Sequence, residues 1–162
     1  MKLATRNHVV AATHFMLGPS NFLVLRLPEN WDLHLGRAPM DVDYTIAVDG
    51  VRWAQEGQAS ALLVDAKARR AIELLVRTAR GAVPPPRLLE PRAGTCTVGG
   101  HDASYALGTA NLGLFGTKRY AVLHVSFRCT DTKRLVDLRF MHKGSSDMLE
   151  ALMPPLARAR CH

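Results

Sequence analysis

The three cysteines are the residues whose chemistry can be judged most directly from the sequence. Cys129 ends an apolar run, Cys161 ends a C-terminal helical pattern, and Cys96 lies just before a Gly-Gly turn signal. We expect the helix to cover the strand, which would bring Cys129 and Cys161 within the Cα separation of about 7 Å that a disulfide allows. In a cytosolic protein such a bridge would indicate a thermophilic source. The sequence therefore predicts a disulfide between Cys129 and Cys161.

A metal site is a second use for the same part of the chain. Thiolate and imidazole groups are ligands that zinc prefers in proteins, and Cys129, Cys161 and His162 would supply three of them. A closed zinc site needs a fourth ligand, however, and the sequence has no paired Cys-x-x-Cys spacing. Buried free thiols are the third alternative. A metal- or thiol-dependent enzyme that uses these three residues stays an alternative.

The sequence assigns no catalytic residue and no cofactor. A catalytic cysteine needs a pKa lowered by a helix N-terminus or a nearby cation, whereas Cys161 is expected at a helix C-terminus and Cys129 on a core face. The His-Glu-x-x-His and Gly-x-Ser-x-Gly patterns do not occur in the sequence. His101 precedes Asp102, but neighbouring residues of a strand point to opposite faces, so they are not expected to act as a dyad. His124 is expected to be solvated.

The glycine-rich segment 108–118 resembles a phosphate-binding loop only superficially. Leu114 and Phe115 stand where such a loop needs its lysine and its hydroxyl residue, so we reject this function. Two alternatives remain for its apolar side chains. Leu112, Leu114 and Phe115 either form a mobile lip that contacts a ligand or partner, or belong to a hairpin connector that tucks into the core.

Composition limits the function classes. The chain has 162 residues, a formal net charge of +7 and a sequence pI near 9.8, which permits nucleic-acid binding. The 16 arginines and 5 lysines are scattered along the chain, however, so a basic nucleic-acid-binding protein is only an alternative. No apolar run is long enough to span a membrane and no secretory signal is recognisable. We therefore expect a cytoplasmic protein without a membrane partner.

The stretch 119–142 is predicted to form the β-hairpin around which the other elements pack. Two runs that alternate apolar and polar residues flank the polar turn 130–133. A four-residue turn brings four pairs onto one face, namely Cys129 with Arg134, Phe127 with Val136, Val125 with Leu138 and Leu123 with Phe140. The opposite face is expected to meet water. It carries Tyr120, His124, Ser126, Arg128, Asp137 and Arg139.

Two helices are predicted to pack on this sheet. Asp65 is expected to cap a helix over 65–80, because apolar residues recur there at helical spacing until Gly81. Ser146 is expected to cap a C-terminal helix that breaks after Leu152, since Pro154 and Pro155 would clash with carbonyl groups one turn earlier. Shorter apolar runs predict further strands at 8–17, 22–27, 31–35, 44–48, 51–54, 95–98 and 103–107.

Some of these segments resemble the PsbP-like family of small α/β domains, which includes extrinsic proteins of photosystem II. The similarity lies in the strand-Pro-x-x-Trp element of Leu27-Pro28-Glu29-Asn30-Trp31, in Gly100-His101-Asp102-Ala103, in the strand that begins Tyr120-Ala-Val-Leu-His, and in a closing helix. The resemblance implies an antiparallel sheet with helices on both faces and a binding or accessory role without catalytic residues. We therefore expect one α+β domain over residues 1–162, with two main helices packed on an antiparallel sheet. We expect it to act as a non-catalytic binding or accessory module for an unidentified protein or small ligand.

Overall fold

A computed structural model describes residues 4–14, 18–35, 58–79, 85–112 and 114–161. These residues form a nearly all-β fold, so the predicted α+β class with two main helices is wrong. The helical elements are a 3-10 turn at Leu114–Gly116, α1 at Asp147–Glu150 and α2 at Met153–Ala157. The strands are β1 Thr5–His14, β2 Gly18–Pro28, β3 Asp32–Leu35, β4 Gln58–Asp65, β5 Arg70–Ala79, β6 Leu89–Val98, β7 His101–Leu112, β8 Lys118–Arg128 and β9 Leu135–His142.

Seven of these strands form one antiparallel sheet in the order β3-β4-β5-β9-β8-β7-β6, and β1 pairs with β2 in a separate two-stranded ribbon. The ribbon and both short helices share one apolar core with the sheet. Val24 of β2 and Arg160 exchange two backbone hydrogen bonds of 2.7 and 2.9 Å. This bridge fastens the segment after α2 to the ribbon and thereby positions Cys161.

The central hairpin has the register predicted from its alternation. Leu123 pairs with Phe140, Val125 with Leu138 and Phe127 with Val136. The Cys129 backbone N–H donates to the Arg134 carbonyl at 2.9 Å, which closes the turn. The predicted antiparallel sheet is also confirmed.

The predicted helix over 65–80 is instead a hairpin of β4 and β5. Asp65 Oδ1 does accept a hydrogen bond from the Ala68 backbone N–H at 3.2 Å, as a helix cap would, but the contact closes a turn. Arg69 has a φ of 52°, which turns the chain back on itself. β5 lies between β4 and β9, and the residues from Ile72 to Thr78 are all buried, so neither face of the strand is exposed there. Ile72, Leu74 and Val76 alternate onto the apolar core, and the apolar residues of this segment fit helical spacing by coincidence.

The C-terminal helix is shorter than predicted. The predicted break is confirmed, because α1 ends at Glu150 and α2 starts at Met153 with proline in its first turn. Ser146 occupies the N-cap position of α1 but makes no side-chain cap hydrogen bond. Leu149 and Leu156 are buried in the core, so the two turns cover the sheet locally. Neither is a main helix of the fold.

The face of the hairpin that was predicted to meet water is largely buried. Tyr120, His124, Asp137 and Arg139 are between 1 and 7% exposed, whereas Ser126 is half-buried and Arg128 is exposed. β8 and β9 lie in the interior of a seven-stranded sheet, and neighbouring strands therefore shield their polar side chains on both sides. The solvated-face prediction is wrong for those four residues.

The remaining strand predictions are confirmed in part. The strands predicted over 8–17, 22–27 and 31–35 overlap β1, β2 and β3, and residues 15–17 of the first lie outside the described residues. The strands over 95–98 and 103–107 correspond to β6 and β7 around the Gly99-Gly100 turn. The predicted hairpin at 44–54 lies outside the described residues.

Candidate functional site

The sulfur atoms of Cys129 and Cys161 lie 2.6 Å apart. Cys129 follows β8 at the start of the hairpin turn, and Cys161 follows the Val24–Arg160 bridge. Both side chains are buried. The topology therefore brings together the two cysteines singled out in the sequence, while the disulfide between them stays a prediction.

His101 is the third member of this cluster. Its Nε2 lies 3.2 Å from Cys161 Sγ, and its ring stacks on Phe127 with centroids 5.7 Å apart and planes 14° apart. The ligand atoms of His101, Cys129 and Cys161 all lie within 4.8 Å of one another, so the three residues could hold a metal ion. His162, named as a ligand from the sequence, lies outside the described residues.

Sequence reasoning missed His101 because it considered only the residue's neighbour Asp102. A usable signal exists in the pairing of β7 with β8. Ala103 pairs with Phe127, and continuing that antiparallel register by two residues places His101 opposite Cys129. His101 also shares the core face with Ala103, since alternate residues of a strand lie on one face.

The Cys161 thiol of this cluster is held in its protonated form. Burial, together with the hydrogen bond to Cys129, raises the pKa of Cys161 to about 12. Burial also raises the pKa of Cys96, which lies on β6 and packs against the core outside the cluster. A protonated thiol is a poor nucleophile. The arrangement therefore does not favour thiol catalysis by Cys161.

A cleft of about 400 Å³ opens where the β2–β3 turn meets α1 and α2. Trp31 is buried beneath it, and the guanidinium carbon of Arg70 lies 5.7 Å from the centroid of the indole ring. The other residues that line the cleft are Pro28, His142, Ser145, Asp147, Met148, Ala151, Leu152 and Pro155. Its lining thus combines an apolar floor with both signs of charge.

Arg70 is fixed at this cleft by a buried carboxylate. Its Nη2 donates to Asp65 Oδ2 at 2.6 Å, and Asn30 Nδ2 donates to the same oxygen at 2.8 Å. The hydrogen bond from Arg70 holds the pKa of Asp65 below its usual value. The Arg70 side chain is still 44% exposed, so its cationic group is both oriented and accessible.

His142 faces the same cleft in a defined tautomer. Its Nδ1 lies 2.9 Å from the Ala71 carbonyl oxygen, and a carbonyl oxygen can only accept a hydrogen bond. Nδ1 must therefore carry the proton. In the neutral ring this leaves Nε2 as a hydrogen-bond acceptor.

A layer of buried charged residues occupies the face of the sheet opposite the apolar core. His124 Nε2 donates to Asp137 Oδ2 at 2.5 Å, and Arg139 Nε donates to Asp137 Oδ1 at 3.3 Å. Arg77 pairs with Asp137 across β5 and β9, and Glu73 lies two rows further along the same face. Each of these five side chains belongs to a residue that is at most 8% exposed. This burial favours a structural ion-pair layer over a site that meets a ligand from solvent.

The predicted ligand or partner loop joins β7 to β8. Phe115 is 91% exposed and has a φ of 70°, so the alternative of tucking it into the core is wrong for this residue. The side chains of Leu112 and Leu114 lie outside what the structure describes. The role of Leu112, Leu114 and Phe115 in contacting a partner stays a prediction.

Some of the arginines are buried or form ion pairs within the protein. Arg77 and Arg139 are buried, and Arg6, Arg70 and Arg92 form ion pairs with Asp32, Asp65 and Glu150. The buried Arg77 and Arg139 therefore contribute nothing to an exposed basic surface.

No protein-family model matches this chain, and a search of curated proteins finds no match either. Among the described residues, none of the helices has the length and apolar character needed to cross a membrane.

Proposed function

We propose that this chain is a binding or accessory module and that the cleft above Trp31 holds its ligand. The observation that supports this proposal is Arg70, whose guanidinium group lies over the Trp31 ring and is held there by Asp65. Binding sites in proteins commonly pair an apolar floor with a few polar groups held in place. The volume of about 400 Å³ suits a small molecule.

The lining indicates the chemistry of the ligand. Arg70 would pair with a carboxylate, Asp147 would accept hydrogen bonds from an ammonium group, and the Nε2 of His142 would accept one more. The floor of Trp31, Met148 and Leu152 would take an apolar side chain. We therefore propose a small zwitterion with an apolar body, such as an apolar amino acid, as the class of ligand.

The PsbP-like resemblance supports the same assignment. Its strand-Pro-x-x-Trp element contributes Pro28 and Trp31, and both residues line the cleft. An accessory role without bond-breaking chemistry is what that resemblance implies. The metal- or thiol-dependent enzyme remains the alternative, and it would use the cysteine cluster instead of the cleft.

The test is a titration followed by ¹H–¹⁵N NMR. L-phenylalanine and L-leucine are the probes, and phenylpropionate and phenethylamine each lack one of the two charges. We expect saturable shifts of the Trp31 indole and of residues 142–148 with the amino acids, and weaker binding of either single-charge analogue. Arg70→Gln should weaken binding at least about tenfold, the equivalent of one lost interaction of roughly 1.4 kcal/mol.

Two further variants separate the site from the rest of the molecule. Asp65→Asn keeps Arg70 but removes the carboxylate that orients it, so it should weaken binding less than Arg70→Gln does. Arg119→Gln removes an exposed cation on β8 that hydrogen-bonds Thr109, and it should leave binding unchanged. The proposal is contradicted if the amino acids produce no saturable shifts, or if Arg70→Gln binds them as well as the unmodified protein.

A further inference from the structure

We propose that His101, Cys129 and Cys161 form a Zn²⁺ site at the end of the sheet where β7 begins and β8 ends. The three residues come from separate parts of the chain, at the start of β7, after β8 and after α2. Their ligand atoms converge within 4.8 Å. Two thiolates and one imidazole are a ligand set that zinc binds well. On binding, Zn²⁺ would replace the two thiol protons, which pass to solvent, and no oxidant or reductant is needed.

The distances require only a small adjustment to admit the ion. Zinc–sulfur bonds of about 2.3 Å in a tetrahedral site place two sulfur atoms about 3.8 Å apart, and a sulfur and a nitrogen atom about 3.6 Å apart. The Cys161 Sγ to His101 Nε2 distance of 3.2 Å is already close to this value, whereas the two sulfurs are 2.6 Å apart. The sulfurs must therefore separate by about 1.2 Å to reach the tetrahedral spacing.

The backbone around the site indicates which residue would move. The hydrogen bond from the Cys129 N–H to the Arg134 carbonyl holds Cys129 at the end of β8. Cys161 lies outside the helices and strands, one residue beyond the bridge at Arg160. A rotation of the Cys161 side chain would therefore open the space without moving the sheet.

His101 is oriented by Phe127. Stacking on that ring limits the imidazole to one plane, in which Nε2 points toward Cys161. Fixing the orientation of a ligand before the ion arrives is a common feature of metal sites. Because His101 is half-buried, water can reach the fourth position, as in open zinc sites with three protein ligands.

The predicted disulfide competes directly with this site, because it uses the same two sulfur atoms. A disulfide needs no imidazole, whereas a zinc site uses the third group that the structure adds. The cleft proposed as the ligand site contains none of these three residues. The zinc site can therefore fail or succeed independently of the proposed function.

The experiment is metal loading of the reduced, full-length protein. Protein purified with a reductant but no chelator is dialysed against ZnCl₂ and then against metal-free buffer, and the retained zinc is measured by elemental analysis. We expect about one zinc per chain. Replacement by Co²⁺ should give a thiolate-to-cobalt charge-transfer band and the intense visible bands of a tetrahedral ion. Zinc should also protect two of the three thiols from alkylation.

Variants test the ligand set. Cys161→Ser and His101→Gln should each weaken zinc binding by more than the roughly 10- to 100-fold typical of an outer-shell partner. Cys96→Ser is the matched control, since Cys96 is a half-buried cysteine outside the cluster, and it should bind zinc normally. Arg70→Gln should also bind zinc normally, because the cleft is separate. Circular dichroism checks that each variant is folded.

The proposal is overturned if the reduced protein retains no zinc and gives no tetrahedral cobalt spectrum. Equal zinc binding by Cys161→Ser or by His101→Gln would also overturn it, because the ion would then be held elsewhere. A mass two hydrogens below the thiol form that persists in reductant would show that the sulfurs are permanently bridged, and this too would exclude the zinc site.

Discussion

The two faces of the β8–β9 hairpin differ more in chemistry than in burial. One face presents Leu123, Val125 and Leu138, which are fully buried against the ribbon and the short helices. The other presents His124, Asp137 and Arg139, which are 7, 2 and 2% exposed. Side-chain alternation along a strand therefore identified the two faces correctly, but it did not tell which of them meets water.

The difference lies in how each face is stabilised once water is excluded. The apolar face gains free energy roughly in proportion to the area it buries. The charged face must recover the cost of desolvating its ions through mutual pairing, and here Asp137 accepts hydrogen bonds from both His124 and Arg139. The charged face should consequently be the more sensitive to removal of a single group.

The largest effect is expected from Asp137→Leu. This change leaves Arg139 and His124 buried without their shared carboxylate, and breaking a buried ion pair in this way costs about 3–5 kcal/mol. Urea unfolding monitored by circular dichroism measures the loss. A loss below about 1 kcal/mol, the range of exposed ion pairs, would show that the layer meets water after all.

The control variant replaces Asp137 and both of its hydrogen-bond donors at the same time. The variant Asp137→Leu/His124→Leu/Arg139→Met removes the carboxylate together with both of its hydrogen-bond donors and leaves Glu73 and Arg77 in place. Replacing a whole buried ion cluster by apolar residues is often close to neutral for stability. The triple variant should therefore be more stable than Asp137→Leu alone. If it is not, the claim that pairing among its ions stabilises the charged face is contradicted.

A somewhat smaller effect is expected from Leu138→Ala on the apolar face. Leu138 is fully buried and pairs with Val125, so the change leaves a cavity and costs about 3 kcal/mol. The same unfolding measurement applies. Leu138→Met is the matched control, because a volume-conserving exchange usually costs less than about 1.5 kcal/mol.

The smallest effect concerns Asp65, a carboxylate at the edge of the apolar face. Its pKa in the folded protein lies below the ordinary value of 3.8, mainly because Arg70 donates a hydrogen bond to it. The resulting stabilisation is present above about pH 4 and is lost as the pH falls through the folded pKa. In Asp65→Asn, the melting temperature should therefore fall less steeply below pH 4 than in the unmodified protein. Identical acid profiles for the two proteins would contradict this assignment.

A helix or strand was predicted correctly where neighbouring residues in the sequence determine it. The register of residues 119–142 follows from alternation and turn length alone, and it was predicted correctly. The segment 65–80 was mistaken for a helix because Asp65 accepts the same backbone hydrogen bond in a tight turn as in a helix cap. Only the pairing of β5 between β4 and β9 places this segment inside the sheet, where Glu73 and Arg77 are buried together with its apolar residues.

The sequence by itself determined that Cys129 lies on the core face of the hairpin and that a C-terminal segment carrying Cys161 packs back on the sheet. The tertiary structure decided which third residue joins them. His101 reaches this position through the pairing of β7 with β8, and Arg70 reaches Trp31 through the turn after β4. Such contacts depend on strand order, because strand order sets which distant residues become neighbours, and no local pattern of side chains encodes it.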